Sequence, residues 1–198
     1  MFYRLFIIGI IVFAFQYTNL MRAQEQVFPQ KKMPVFTVKS NLLYDLTSTV
    51  NVGAELRIRD NFSIDFPVNY NGWTYSNNKK FKHFLIQPEL RYWPYRFSDG
   101  HFLGFHTHYG YYNTGGLNLS DYMKKHRFEG WLTGVGFSYG YYKKLSDRWA
   151  LEVSLGVGYA FLDYDIYRCE SCGEKTGTEA KNYIGITKPT VSLIYVIK

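Results

Sequence analysis

Residues 148 to 167, "RWALEVSLGVGYAFLDYDIY", alternate strictly between two kinds of side chain. Trp149, Leu151, Val153, Leu155, Val157, Tyr159 and Phe161 are apolar or aromatic, and between them stand Ala150, Glu152, Ser154, Gly156, Gly158, Ala160 and Leu162. A period of two sends successive side chains to opposite faces of a strand, so one face here is wholly apolar and the other small or polar. Strands of soluble sheets commonly run about 5–6 residues. This one is far longer, and its apolar face needs a cover.

The same pattern recurs along the chain. "VNVGAELRI" (50 to 58), "NFSIDFPVNY" (61 to 70), "KHFLIQPELRYW" (82 to 93), "HFLGFHTHYGYYN" (101 to 113) and "GWLTGVGFSYGYY" (130 to 142) all carry it. In the first, Val50, Val52, Ala54, Leu56 and Ile58 stand against Asn51, Gly53, Glu55 and Arg57. Adding "VKSNLLYDL" (38 to 46) and "YIGITKPTVSLIYVIK" (183 to 198) gives eight strands. Pro67, Pro88 and Pro189 fall inside these patterns and remove ladder donors, which places them at bulges or near strand ends.

The connections alternate in length. "RDN", "PYRFSDG" and "KLSD" are short, whereas residues 71 to 82, 113 to 128 and 164 to 182 form long connections; only the first outer connection, near "TST", is short. Short turns on one side and long loops on the other are the arrangement of an outer-membrane barrel whose N-terminus lies in the periplasm.

The N-terminus explains how such a chain is exported. "MFYRLFIIGIIVFAFQYTNLMRA" has an early positive charge at Arg4, an apolar core from Leu5 to Phe15 and a small residue, Ala23, before "QEQ". That is the form of a secretory signal peptide, and its core is short of the roughly 20 apolar residues a spanning helix needs. Beyond it no apolar run reaches the length of a transmembrane helix. The prediction is an all-β fold: an eight-stranded antiparallel up-and-down transmembrane β-barrel over 37–198, after a signal peptide at 1–23 and a flexible segment at 24–36. In lipid every backbone N–H and C=O must be paired internally, so a sheet spans only by closing on itself.

Charge changes this picture little. The formal net charge is +7, but Lys and Arg are spread along the chain with no run longer than a pair, which excludes a nucleic-acid partner. The polar face of the strands matters more. It turns Lys39, Asp45, Glu55, Arg57, Asp65, Glu89, Arg91, His106, His108 and Glu152 to the interior. Charges taken out of bulk water persist only when paired and hydrogen-bonded, so these ten residues are expected to form a polar plug.

Two sites test for chemistry. "HTH" at 106 to 108 puts two imidazoles on one strand face, but no third ligand is defined, and neither a metal nor a cofactor is predicted. A barrel deacylase acting on lipid A with a Ser, a His and a Glu would need its His at the lipid surface, whereas His106 and His108 carry the inward parity. Cys169 and Cys172 in "RCESCGEKTG" sit in a polar loop without a second ligand pair. An oxidising compartment favours a disulfide between them.

Three segments, "KSNLLYDLTSTVNVGAEL", "NYNGWTYSNNKKFKHFLIQPELRYW" and "GHFLGFHTHYGYYN", resemble the hallmark segments of the domain of unknown function 3575 family, and the likeness extends over about residues 37 to 198. That family consists of exported proteins of Bacteroides-like bacteria, several encoded beside fimbrillin genes. The resemblance implies an outer-membrane barrel linked to surface fimbriae, and it supplies no catalytic residues. The expected function is therefore that of a non-enzymatic outer-membrane β-barrel, structural or accessory to cell-surface or fimbria assembly. Its expected partners are outer-membrane lipid and fimbrial or other surface proteins. A lipid A-modifying barrel enzyme and a small-solute channel are the alternatives.

Overall fold

The structure, a computed structural model, describes residues 36–75, 79–116, 126–168 and 173–197. The signal peptide predicted over 1–23, the 24–36 segment up to residue 35, and the Cys169 and Cys172 pair lie outside the described residues. The strands are β1 (Phe36–Asn41), β2 (Val50–Arg59), β3 (Phe62–Asn71), β4 (Lys80–Ile86), β5 (Glu89–Tyr92), β6 (Gly100–Gly115), β7 (Arg127–Lys144), β8 (Trp149–Tyr167) and β9 (Lys175–Val196). A single helical turn, α1 (Leu42–Asp45), follows β1.

All the pairings are antiparallel, and they close. β9 returns to β1, from Thr37↔Val196 to Asn41↔Ser192. β4 and β5 share one place between β3 and β6, so the ring has eight positions, as the sequence predicts. The break between them falls at Gln87 and Pro88. Pro67 lies opposite this break, its carbonyl accepting the Gln87 N–H at 3.2 Å, so its missing N–H faces the gap in the ladder. Pro189 lies beside a bulge, since Gly156 pairs with Lys188 and Val157 with Ile186, leaving Thr187 as the extra residue.

Two expectations are corrected. The strand predicted over 38–46 stops at Asn41, because the Asn41 side chain accepts the Leu43 N–H at 3.2 Å and caps α1. Leu42 and Leu43 then lie side by side, both partly exposed, where a strand would have split them between faces. The last two long connections are also shorter than predicted, because β6 to β9 reach Gly115, Arg127, Tyr167 and Lys175. Their upper parts alternate with polar outward residues, for instance Asp165, which accepts from Thr178 at 2.8 Å and pairs with Lys175 at 2.7 Å. A search for apolar alternation ends where those residues begin.

The interior is ordered along the ring axis. At the turn end, Trp93, Phe97, Phe102, Tyr142, Ala150 and Ile194 form a buried apolar cluster, with Trp93 edge-on to Phe97 at 5.4 Å and 4.9 Å from Phe102. Hydrogen bonds from Trp93 N–H to Asn61 O (2.9 Å) and Phe97 N–H to Asp60 O (3.1 Å) fold the connection after β5 against the β2–β3 turn. Above this cluster the inward residues are polar and charged, while the outward ones are apolar: Arg91 and Glu152 are 0% exposed and Phe137 is 69% exposed.

Small residues on the inner face of β7 give the interior its room. A Cβ at Gly136 would meet the His106 ring and the Val157 carbonyl, whereas one at Gly177 would meet nothing within 4 Å. Gly136→Val is therefore expected to destabilise the fold by about 1–3 kcal/mol, the usual cost of overpacking, and Gly177→Val to leave it unchanged. Urea-unfolding midpoints followed by tryptophan fluorescence check the pair.

Candidate functional site

Strand alternation turns Glu55, Asp65 and Glu89 inward, and the register sets them in a row, Glu55 opposite Asp65 and Asp65 opposite Glu89. Like charges directly opposite one another disfavour pairing. Arg91, one pleat from Glu89 on β5, reverses the balance. Its Nε donates to Glu89 (2.7 Å), one terminal nitrogen to Glu55 (3.0 Å) and Glu152 (2.8 Å), and the other to Asp65 (3.0 Å) and Glu152 (2.9 Å). All five N–H donors of the guanidinium are thereby used. Phe102 lies beneath it, 4.3 Å from ring centroid to guanidinium carbon.

Two lysines complete the network. Lys39 Nζ donates to Glu55 (2.6 Å) and Glu152 (3.1 Å) and lies 3.3 Å from Asp65. Lys188 donates to Glu89 (2.9 Å) and Asp65 (3.3 Å). Ser63 donates to Glu55 at 2.6 Å and itself accepts from Trp93 Nε1 at 2.8 Å, which fastens the charged layer to the aromatic cluster below. Ser138 donates to Glu89 from β7. Beside Glu89, His106 sits with Nδ1 3.9 Å from the carboxylate and Nε2 2.9 Å from the hydroxyl of Thr187, the bulge residue. Every position around the ring thus contributes a side chain.

Of the ten residues predicted for the interior, Lys39, Glu55, Asp65, Glu89, Arg91, His106 and Glu152 meet in this network. His108 is buried one pleat above His106, their ring centroids 5.8 Å apart. Asp45 and Arg57 do not join it. Asp45 is exposed in α1, accepting from Ser40 (3.0 Å) and Asn51 (2.7 Å), because the cap at Asn41 ends the strand before it. Arg57 sits nearer the turn end, partly exposed and 4.0 Å from Asp60, below the level of the cluster. Sequence reading missed Lys188, Ser63, Ser138 and the aromatic cluster. The inward parity of Trp93 and Phe102 was the available signal for the last.

Two spaces flank the network towards the loop end. A polar pocket of about 20 Å³ beside Lys39, Asp65, Asn69, Gln87 and Lys188 has room for about one water. A larger cavity of about 280 Å³ is lined by Tyr44, Phe81, His83, Leu85, Tyr112, Leu132 and Leu162 among others. Burial raises the Tyr44 hydroxyl to about 12, so it stays protonated.

The fold and the network together define an all-β chain whose closed antiparallel ring is filled by paired charges. The chain belongs to the family described as proteins of unknown function (DUF3575), whose model matches residues 9–197. Comparison with the curated proteins and with the solved structures found no match.

Removing Arg91 would leave four carboxylates facing two lysines in a buried interior. Breaking a buried ion pair from one side costs about 3–5 kcal/mol, so Arg91→Met is expected to lower stability by at least that. Arg91→Lys should also destabilise, since an ammonium has three donors in place of five and no planar fork. Arg57→Met should stay within about 0.5 kcal/mol of the parent. The three urea midpoints, compared side by side, test this ranking.

Proposed function

We propose that this protein is a non-enzymatic outer-membrane β-barrel, structural or accessory to assembly at the cell surface. The observation that carries the reading is the inversion of polarity across a closed ring. Arg91, Glu89 and Glu152 are sealed inside, while Val52, Leu56, Ile64, Leu103, Phe105, Phe137, Val153, Leu155 and Val157 are exposed outside. In water that exterior would be an apolar patch far larger than a monomer carries. Against acyl chains it is the matching surface, and the ring of paired strands meets the requirement that backbone groups facing lipid be paired everywhere but along the upper edge of β9.

The outward aromatics support a bilayer-sized band. Towards the turn end stand Phe62 with Tyr92 (5.3 Å) and Trp149 with Tyr195 (5.1 Å). Towards the loop end stand Tyr109 with Tyr111 (5.3 Å) and Trp131 with Phe161 (5.7 Å). Beyond the second set the outward residues become polar, at Glu129, Asp163 and Asp165. Aromatic girdles at both interfaces are the habit of outer-membrane barrels.

A holding role, in place of catalysis, is supported by how the charged groups are used. The Arg91 donors and the carboxylates of Glu55, Glu89 and Glu152 are occupied by one another, by lysines and by serines. The link to fimbriae rests on the family resemblance alone.

Membrane fractionation tests the reading: the protein should sediment with outer membranes and resist carbonate extraction, and recovery in the soluble periplasmic fraction would overturn it. Val153→Asp and Val157→Asp each put a charge on the lipid face, where Arg or Lys at the midplane costs about 2–4 kcal/mol and acids cost less, so both should reduce the membrane-assembled fraction. Ser154→Asp points inward and should be milder. Equal losses at all three sites would defeat the assignment of faces. In planar bilayers the purified protein should give no steady current, because the charged layer and the aromatic cluster close the interior in series; a large stable conductance would contradict that.

A further inference from the structure

The cavity at the loop end has a largely apolar wall beside the polar middle of the ring. Phe81 and Leu85 on β4, Leu132 on β7 and Leu162 on β8 all point inward, and all are only half-buried. The apolar cluster at the opposite end is fully buried, so those residues complete one another, whereas these four surround about 280 Å³ of space. An apolar cavity of about 150 Å³ already takes up benzene. At about 30 Å³ per heavy atom, the space here suits a chain of about nine atoms.

Among the polar atoms that line it, which include the hydroxyls of Tyr44, Tyr112 and Thr114, one is buried without a partner. His83 Nδ1 lies 3.1 Å from the Phe81 carbonyl oxygen. A carbonyl only accepts, so Nδ1 carries the proton and Nε2 of the neutral ring is the acceptor. That Nε2 is buried and has no hydrogen-bond partner among the described residues. An unmet acceptor in an apolar wall costs free energy until a donor arrives. A carboxylate could accept from the hydroxyls of Tyr44, Tyr112 and Thr114 but has no donor for Nε2 and leaves that acceptor unmet, and an ammonium would find no carboxylate among the residues that line the cavity.

We propose that this cavity binds a single medium-length alkyl chain ending in a hydroxyl donor, an alcohol or an undissociated acid, with the O–H donating to His83 Nε2. The chain is either a free amphiphile or part of a lipid. On this proposal the chain enters past the unpaired edge of β9. β9 continues from Ser192 up to Lys175 with no strand on its β1 side among the described residues, and no described residue of β1 or β9 lines the cavity. The edges of this opening are apolar, with Ile184 84% and Leu46 83% exposed. Lateral access rests on the outer-membrane reading; the cavity and its acceptor do not.

The test uses the full mature chain in phosphatidylcholine nanodiscs, with radiolabelled octan-1-ol as probe and empty nanodiscs as the partition control. One saturable site is expected. The ether of equal size, 1-methoxyheptane, which cannot donate, should compete about five- to tenfold more weakly, the worth of one hydrogen bond. Leu132→Trp should abolish the site by filling it, and Leu162→Trp fills the same space from the neighbouring strand if the first variant does not fold. His83→Phe should retain binding but lose the preference for the alcohol over the ether. Binding no greater than in empty nanodiscs, or equal competition by alcohol and ether, would overturn the proposal, as would saturable binding undiminished in a folded cavity-filled variant. Mass spectrometry of the organic extract of protein purified from its native membrane separates the two sources, a free alcohol or acid against a glycerolipid or lipid A. Fractionation failing while octanol binds would sink the membrane reading and leave the site standing.

Discussion

The guanidinium of Arg91 is the contact on which the rest of the ring depends. Three carboxylates stand opposite one another on β2, β3 and β5, an arrangement that repels unless a cation reaches all of them. A lysine cannot do so alone, because a single ammonium has three donors and no fixed plane. Arg91 sits one pleat below this row, extends its planar fork across it and reaches Glu152 on β8 at the same time. Buried ion pairs often contribute little net stability. Their value here is in specificity. A slip of one residue between any two of these strands would turn a carboxylate towards the outside and strand the arginine, so the network penalises every register but one.

Around that layer the interior divides by chemistry. The aromatic cluster below is dry and complete, and Ser63 carries a hydrogen bond from Trp93 up to Glu55, so the apolar and charged layers share a boundary atom by atom. Above, the charged layer gives way to a pocket with room for about one water and then to the apolar cavity. A continuous aqueous path would need polar residues at every level. Buried polar side chains continue towards the loop end at Asn69, Asn71 and Thr49, so it is at the aromatic cluster that the polar lining gives out.

Much of this was legible in the sequence, because a period of two is a direct statement about faces, and eight two-faced runs with alternating connections leave few ways to close a sheet. The misses each have a physical cause. Lys188 was hidden by the bulge at Thr187: even-numbered residues point outward at Ile184 and Ile186 but inward from Lys188 to Ile194, so one parity could not be carried along β9. Asp45 was extrapolated through a helix cap that alternation cannot register. Arg57 has the correct face and the wrong height, and height depends on the tilt of the whole ring. The pairing of Glu55 with Lys39 and Arg91, across sequence separations of 16 and 36, could be anticipated as a need but not as a geometry.

The unequal strand lengths pose the remaining problem, since β1 ends at Asn41 while β9 runs on beside it. An open edge exposes unpaired backbone, which is costly in hydrocarbon and invites adventitious pairing in water. Two residues relieve it. Pro189 has no N–H to leave unpaired at that edge. The Asn41 side-chain amide then acts as one more peptide unit of β1, its Nδ2 donating to Pro189 O at 3.2 Å and its Oδ1 accepting from Val191 N–H at 3.2 Å. The same Oδ1 accepts the Leu43 N–H that starts α1. One side chain therefore ends a strand, begins a helical turn and extends the ladder past its backbone, which is how the ring can stop short on one side without losing the pairing that closes it.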